Sequence, residues 1–246
     1  MPRVKLLKLS EYVAWAVGFA LVGFYVSSRT HSASGRASDI ENFEEARAEA
    51  LTESAAAAAG ATSSPSPVIP ARTLESTEPF DFTLWGEGRI KKYEGSLQAD
   101  LGLPMALLRV PKINLEVAVL EGTDDVVLDR AVGRIAGTVA PGELGNSGIA
   151  GHRDGVFRGL KDIGLGDVLE IETLTGIFTY TIDRISIVDP SHVEVLSPTQ
   201  DSVITLVTCY PFYFVGKAPQ RYIVRASLQQ PVGVQTVSAD QAVSAE

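Results

Sequence analysis

Apolar residues are spread along the chain in three regimes. From Tyr12 to Val26, fifteen consecutive residues carry no charge. From Ser27 to about Pro79 bulky apolar positions are sparse, and Ala, Glu, Ser and Pro dominate. From Leu107 to Leu228 short apolar runs alternate with turns built on Gly, Pro, Asn and Asp. Such runs read as strands. Leu107–Val110 and Leu115–Leu120 flank Pro111-Lys112-Ile113-Asn114. Val126–Val132 has the length of one or two helical turns, and Val156–Lys161 of another. Ser147–Ala150 reads as a short buried strand. Asp167–Thr173 and Phe178–Val188 form a hairpin pattern around Leu174-Thr175-Gly176. Val203–Cys209 and Arg221–Leu228 are the last strands. The spacing predicts a closed β-barrel or sandwich.

The first regime sets the compartment. Arg3, Lys5 and Lys8 precede the charge-free run, and Glu-rich sequence follows it. At about 1.5 Å per residue the run alone is short of a ~30 Å hydrocarbon core. Ser27, Ser28 and the stems of Lys8 and Arg29 extend it by snorkelling. Tyr12, Trp15 and Tyr25 suit the interfaces, and the basic flank orients the segment N-inside. The expectation is a single-pass membrane protein with its globular part outside the cytoplasm. A cleaved signal peptide is the competing reading, with Ser32-Ala33-Ser34 as the cleavage site.

The second regime reads as a stalk. Glu41–Ala59 has helical composition, but its apolar residues are mostly Ala and would bury little. Thr62-Ser63-Ser64-Pro65-Ser66-Pro67-Val68-Ile69-Pro70 is extended linker. The aromatic residues Phe80, Phe82, Trp85 and Tyr93 predict a short helical segment packed on the globular part. The expected organisation is a cytoplasmic tip and transmembrane anchor over 1–28, a flexible stalk over 29–79, a globular domain over 80–228 and a disordered tail over 229–246.

The formal charge of −9 and the pI near 4.9 argue against a nucleic-acid partner, which requires a basic face. No His/Cys cluster supports a metal site, and no cofactor is implied.

Cys209 is the one cysteine, in Val203-Ile204-Thr205-Leu206-Val207-Thr208-Cys209-Tyr210-Pro211. Outside the cytoplasm an unpaired thiol is prone to oxidation, so it is either buried or used. Cys209 stands at the end of a buried strand that Pro211 stops. His152 follows Gly148-Ile149-Ala150-Gly151, where glycines deliver it into a loop. His31 lies in the stalk, and His192, in Pro190-Ser191-His192-Val193, has turn-like neighbours. Arg221 and Arg225 share one strand face, and either suits a developing oxyanion. Asp154 and Asp189 are candidates to orient an imidazole, and spacing selects neither. A thiol, an imidazole and a guanidinium at strand ends are the parts of a cysteine acyl-transfer site.

These residues resemble the sortase family, specifically its class D cysteine transpeptidases. The match rests on Thr205-Leu206-Val207-Thr208-Cys209, Arg221 twelve residues on, and Gly151-His152-Arg153 upstream. It extends to Leu108-Arg109-Val110-Pro111-Lys112-Ile113, Leu120-Glu121-Gly122-Thr123 and Pro141-Gly142-Glu143, over about Trp85 to Leu228. The resemblance implies an eight-stranded sortase-type barrel with Cys209 and Arg221 on its last two strands. It implies Cys209 as nucleophile, His152 as acid and base, Arg221 as oxyanion or substrate-backbone donor, and Thr208 as an added hydroxyl donor. The implied partners are exported proteins with a C-terminal sorting motif and an amine acceptor in the cell envelope. A cysteine hydrolase using water as acceptor and a non-catalytic membrane-tethered β domain remain as the other readings.

Overall fold

The structure is a computed structural model and describes Trp15, Gly18, Phe19 and residues 38–52, 85–213 and 216–229. Eight strands close into a barrel. They are β1 (Ala106–Val110), β2 (Leu115–Glu121), β3 (Val132–Arg134), β4 (Asn146–Ala150), β5 (Val168–Thr173), β6 (Ile177–Val188), β7 (Val203–Tyr210) and β8 (Gln220–Leu228). The order around the barrel is β1-β2-β3-β4-β7-β8-β6-β5, and antiparallel β1–β5 pairing closes it. Closure leaves no free sheet edge. The expected eight-stranded barrel is therefore present. β2–β3 and β4–β7 are the parallel pairs.

The barrel interior follows strand alternation. Leu108, Val110, Val117, Val119, Ile171, Ile204, Leu206, Val224 and Ala226 belong to one buried cluster. β1 is buried at every position, because its other face is covered as well. There Leu107 and Ala118 pack on Phe43.

Phe43 lies on a helix, α1, formed by residues 38–52. This departs from the expected flexible stalk over 29–79. Within that span residues 38–52 are docked on the barrel, and the rest lies outside the described residues. Fully buried Phe43, with Ile40 packed beside it, supplies the apolar contact. Two ion pairs, Asp39 with Arg130 at 2.9 Å and Arg47 with Glu172, fasten the helix at two of its turns. Composition indicates little burial because it averages over the few residues that make the contact.

Helix α2 (Glu87–Ser96) carries the aromatic segment onto the domain. Trp85 and Tyr93 are buried and meet edge to face, with ring centroids 5.7 Å apart. Phe80 and Phe82 lie outside the described residues. Helix α3 (Asp125–Arg130) ends earlier than the sequence pattern suggests, because Val132 opens β3. β3 went unforeseen: three residues are too few for alternation to show. At Gly133 a Cβ would sit 1.8 Å from the Gly122 carbonyl oxygen, so only glycine lets β3 pass there.

The expected transmembrane run lies outside the described residues apart from Trp15, Gly18 and Phe19, which are helical. Among the described residues no helix is long and apolar enough to cross a membrane. The expected tail is likewise outside them, save Gln229.

Candidate active site

β7 and β8 pair antiparallel without a register break, and Cys209 stands opposite Arg221. Cross-strand partners project to the same face. Ile204, Leu206, Tyr222 and Val224 belong to the interior cluster, so Cys209 and Arg221 project away from it. β7 ends at Tyr210, ahead of Pro211, which leaves the thiol at the open end of a strand that is rigid behind it.

β4 brings His152 to the same place. It runs parallel to β7, with Ala150 beside Val207, and the Gly151 N–H donates to the Val207 carbonyl at 3.2 Å. The next residue, His152, thus leaves the sheet beside the end of β7. Its carbonyl accepts the N–H groups of Gly155 (3.2 Å) and Phe157 (3.1 Å), which fixes the loop backbone. A Cβ at Gly151 would lie 2.7 Å from the Phe157 ring, so the residue before the histidine has to be glycine.

His152, Cys209 and Arg221 line one open cleft of about 380 Å³, together with Arg153, Asp154, Gly216, Lys217 and Ala218. The thiol is free and partly buried. Arg221 Nη1 donates to the carbonyls of Gln220 (3.0 Å) and Ala218 (3.4 Å), which holds the guanidinium over the β7–β8 turn. Arg225, its rival in the sequence, is bound through Nη1 to both carboxylate oxygens of Asp183, each at 2.8 Å, and does not line the cleft. His192 is exposed in a turn beside Glu194 and also lies off the cleft. His31 is outside the described residues.

Thr208 corrects an expectation. Its side chain is buried, and Oγ1 donates to the Gly151 carbonyl at 2.7 Å. Alternation turns it away from Cys209, so it is no hydroxyl donor to a substrate. It ties the nucleophile's strand to the loop that bears the histidine.

Of the two carboxylates singled out in the sequence, Asp154 lines the cleft. Asp189 accepts from the Ser191 backbone N–H (2.9 Å) and hydroxyl (2.7 Å) and serves its own turn. A third, Asp129 on α3, was missed. It is buried, and its Oδ1 stands 3.6 Å from His152 Nε2. Burial is the largest influence on the imidazole and pushes its pKa below the usual value. The nearby Arg89 guanidinium acts in the same direction, and Asp154, Asp129 and Asp125 oppose both. On balance the surroundings favour the neutral imidazole. Arg153 donates to the carbonyls of Pro211 and Gly216, each at 3.0 Å, and so clasps the turn after Cys209. Among the described residues no group of His, Cys, Asp and Glu is placed to hold a metal ion.

Comparison with known proteins agrees with this geometry. Residues 108–229 match the Sortase domain family. Sortase D of Bacillus subtilis is 37% identical over 134 residues, which cover 54% of this chain and 68% of that protein. Sortase A of Listeria monocytogenes is 27% identical over 120 residues, covering 47% of this chain and 54% of the relative. A lid mutant of sortase A from Corynebacterium diphtheriae superposes with a TM-score of 0.50 at 26% identity, over 55% of this chain and 74% of that one. The chain belongs to the sortase family, whose members are cysteine transpeptidases acting on peptide bonds.

Proposed function

We propose that in this sortase Cys209 is the nucleophile, His152 the acid and base, and Arg221 the oxyanion donor of a transpeptidation on exported proteins. The observation that carries this reading is the direct pairing of Cys209 and Arg221 on β7 and β8, with His152 opening into the same cleft.

The thiol proton passes to His152, and the Cys209 thiolate attacks the carbonyl carbon of the scissile peptide bond in a C-terminal sorting motif. Negative charge develops on the carbonyl oxygen, where the planar Arg221 guanidinium donates hydrogen bonds to it. The C–N bond breaks as His152 gives its proton to the departing amine, which leaves a thioester on Cys209. An acceptor amine then attacks the thioester carbonyl and loses its proton to His152. The C–S bond breaks, and Cys209 leaves as thiolate and takes its proton back from His152, which restores the starting thiol and neutral imidazole. Atoms and charge balance over the cycle, and no cofactor is needed.

The charge-free run Tyr12–Val26 with its basic flank supports a single-pass membrane anchor and an extracytoplasmic domain. Such an anchor keeps the cleft beside substrates held at the same membrane and raises their effective concentration. The acceptor is an amine of the cell envelope or of a protein in it.

Incubation with a library of sorting-motif peptides and an amine, read by mass spectrometry, tests this reading. The expected products are a thioester adduct on Cys209 and an amine-linked peptide that grows with amine concentration. Hydrolysed peptide alone, independent of amine, would assign water as the acceptor. No adduct and no turnover with any motif would remove the enzymatic reading.

A further inference from the structure

His152 stands between opposite charges that the sequence gives no reason to group. Asp129 is the last acidic residue of α3, only 4% exposed, with Oδ1 3.6 Å from His152 Nε2. The same oxygen accepts a hydrogen bond from Arg89 Nη1 on α2. Arg89 is itself largely buried: its guanidinium lies over the Trp85 ring at 4.3 Å from the centroid, and its Nε is 3.9 Å from the Asp154 carboxylate. Trp85 donates its indole N–H to the Asp154 carbonyl. An ionised carboxylate this deeply buried requires a charged partner. Arg89 is that partner, and it leaves the carboxylate near enough to act on the imidazole.

We propose that Asp129 is a positioning residue for His152, and that Arg89 tempers its pull. This deepens the function proposed above and rests on His152 being the acid–base group there. The Asp129 carboxylate faces the Nε2 edge of the ring and orients it. It also stabilises the imidazolium that forms while His152 carries the proton between thiol, leaving amine and acceptor amine. Asp129 alone would hold that proton too firmly. The Arg89 charge offsets it, so the proton is both accepted and released.

The other charged groups around the ring do not form this arrangement. Asp125, also on α3, is exposed and paired with Lys92 of α2 at 3.1 Å. Asp154 and Arg153 follow β4, Lys217 lies in the β7–β8 turn and Arg221 on β8, all lining the cleft. Asp129 is the residue whose carboxylate is both buried and within 3.6 Å of the imidazole. The bland alternative is that Arg89 and Asp129 merely pin α2 to α3. The two readings differ in sign. A pin, once cut, loosens the protein whichever end is removed. An electrostatic pair moves the histidine in opposite directions.

The test is NMR titration of the His152 imidazole in the full chain carrying Cys209→Ala, alone and combined with Asp129→Asn, Arg89→Gln or Arg89→Lys. Asp129→Asn should lower the His152 pKa by about one pH unit, the scale of a charge at this distance. Arg89→Gln should raise it by a similar amount, and Arg89→Lys should leave it essentially unchanged. With Cys209 intact, Asp129→Asn should slow acyl-enzyme formation by about 10- to 100-fold, the scale of a misplaced catalytic group. Unmoved titration in both neutral variants, or shifts of the same sign, would overturn the proposal. If Asp129→Asn does not fold, the Arg89 pair decides alone: a rise with Gln and none with Lys supports it, and any other result overturns it. Wild-type turnover in His152→Ala would instead sink the assigned role of His152 while leaving the titration shifts standing, so the two failures are distinguishable.

Discussion

Thr208 Oγ1 donates to the carbonyl of Gly151 at 2.7 Å, on the face of β7 opposite Cys209. The nucleophile and the histidine are thus joined through one buried hydroxyl and two backbones. Thr208→Val keeps the shape and removes the donor, leaving the Gly151 carbonyl without this bond. The cost is about 1–3 kcal/mol for a buried group left unsatisfied. Turnover should fall with KM little changed, since the bond places His152 and touches no substrate. Thr208→Ser should restore both. Thermal melts and steady-state kinetics check this; a raised KM with unchanged turnover would return Thr208 to the substrate.

Cys209→Ala should abolish acyl-enzyme formation and turnover and leave the barrel folded. The thiol is partly exposed in an open cleft and its loss leaves no core cavity. Native wild-type protein should also be alkylated at Cys209 and thereby inactivated. Turnover surviving in Cys209→Ala would end the cysteine mechanism.

Arg221 and Arg225 are separable by experiment because their partners differ. Arg221 bonds backbone carbonyls in the cleft, and Arg225 is held by the Asp183 carboxylate. Arg221→Ala should lower turnover by about 10²–10³-fold, the usual loss for an oxyanion donor, with little change in Tm. Lys should substitute poorly for want of the planar fork. Arg225→Ala should leave turnover near wild type and cost about 1 kcal/mol, the upper range for an ion pair that is still partly exposed. Equal activity losses at the two positions would contradict the assignment.

His152→Ala should lower turnover by about 10²-fold or more and His192→Ala should not. A stability signature accompanies it. The folded-state pKa of His152 is depressed, so the unfolded chain binds the proton more readily. Its stabilising share is present above the unfolded value, about 6.5, and is lost as pH falls toward the folded value. Urea denaturation at about pH 7.5 and pH 5.5 should show a larger loss in wild type than in His152→Asn. Equal losses would mean that the imidazole is not shielded in the folded state.

Much of this was legible in the residues. Seven of the eight strands announced themselves by alternation or by short apolar runs, and Cys209, His152 and Arg221 stand where local order put them: strand ends beside Gly or Pro. What stayed hidden depends on distant contacts. β3 has three residues and exists only because Gly133 can pass Gly122. Asp129 looks like one more surface acid in Asp124-Asp125-Val126-Val127-Leu128-Asp129-Arg130. Its burial needs α2 to lie across α3 and bring Arg89, forty residues away. The choice between Arg221 and Arg225 needed Asp183, which β6 supplies by pairing with β8. Helical composition over Glu41–Ala59 was visible, and its described part, up to residue 52, is helical; the docking through Phe43 was not visible.

That docking gives the last prediction. α1 meets the barrel through Phe43 against Leu107 and Ala118, through Asp39 with Arg130 and through Arg47 with Glu172. Arg130 also donates to the Ser96 carbonyl at 2.9 Å, so α1, α2 and α3 share one side chain. Phe43→Ala removes a fully buried aromatic ring, at a cost of about 3–5 kcal/mol if nothing relaxes. An appended helix opens locally before a closed barrel does. Hydrogen exchange of residues 38–52 should therefore rise by about 10²-fold or more, with the β1, β5 and β7 amides little changed. Asp39→Asn should raise it less, because Phe43 and Arg47 still hold the helix. Unchanged exchange in Phe43→Ala would show that α1 owes its place to the ion pairs, and loss of barrel protection would show that it is an integral part of the catalytic domain.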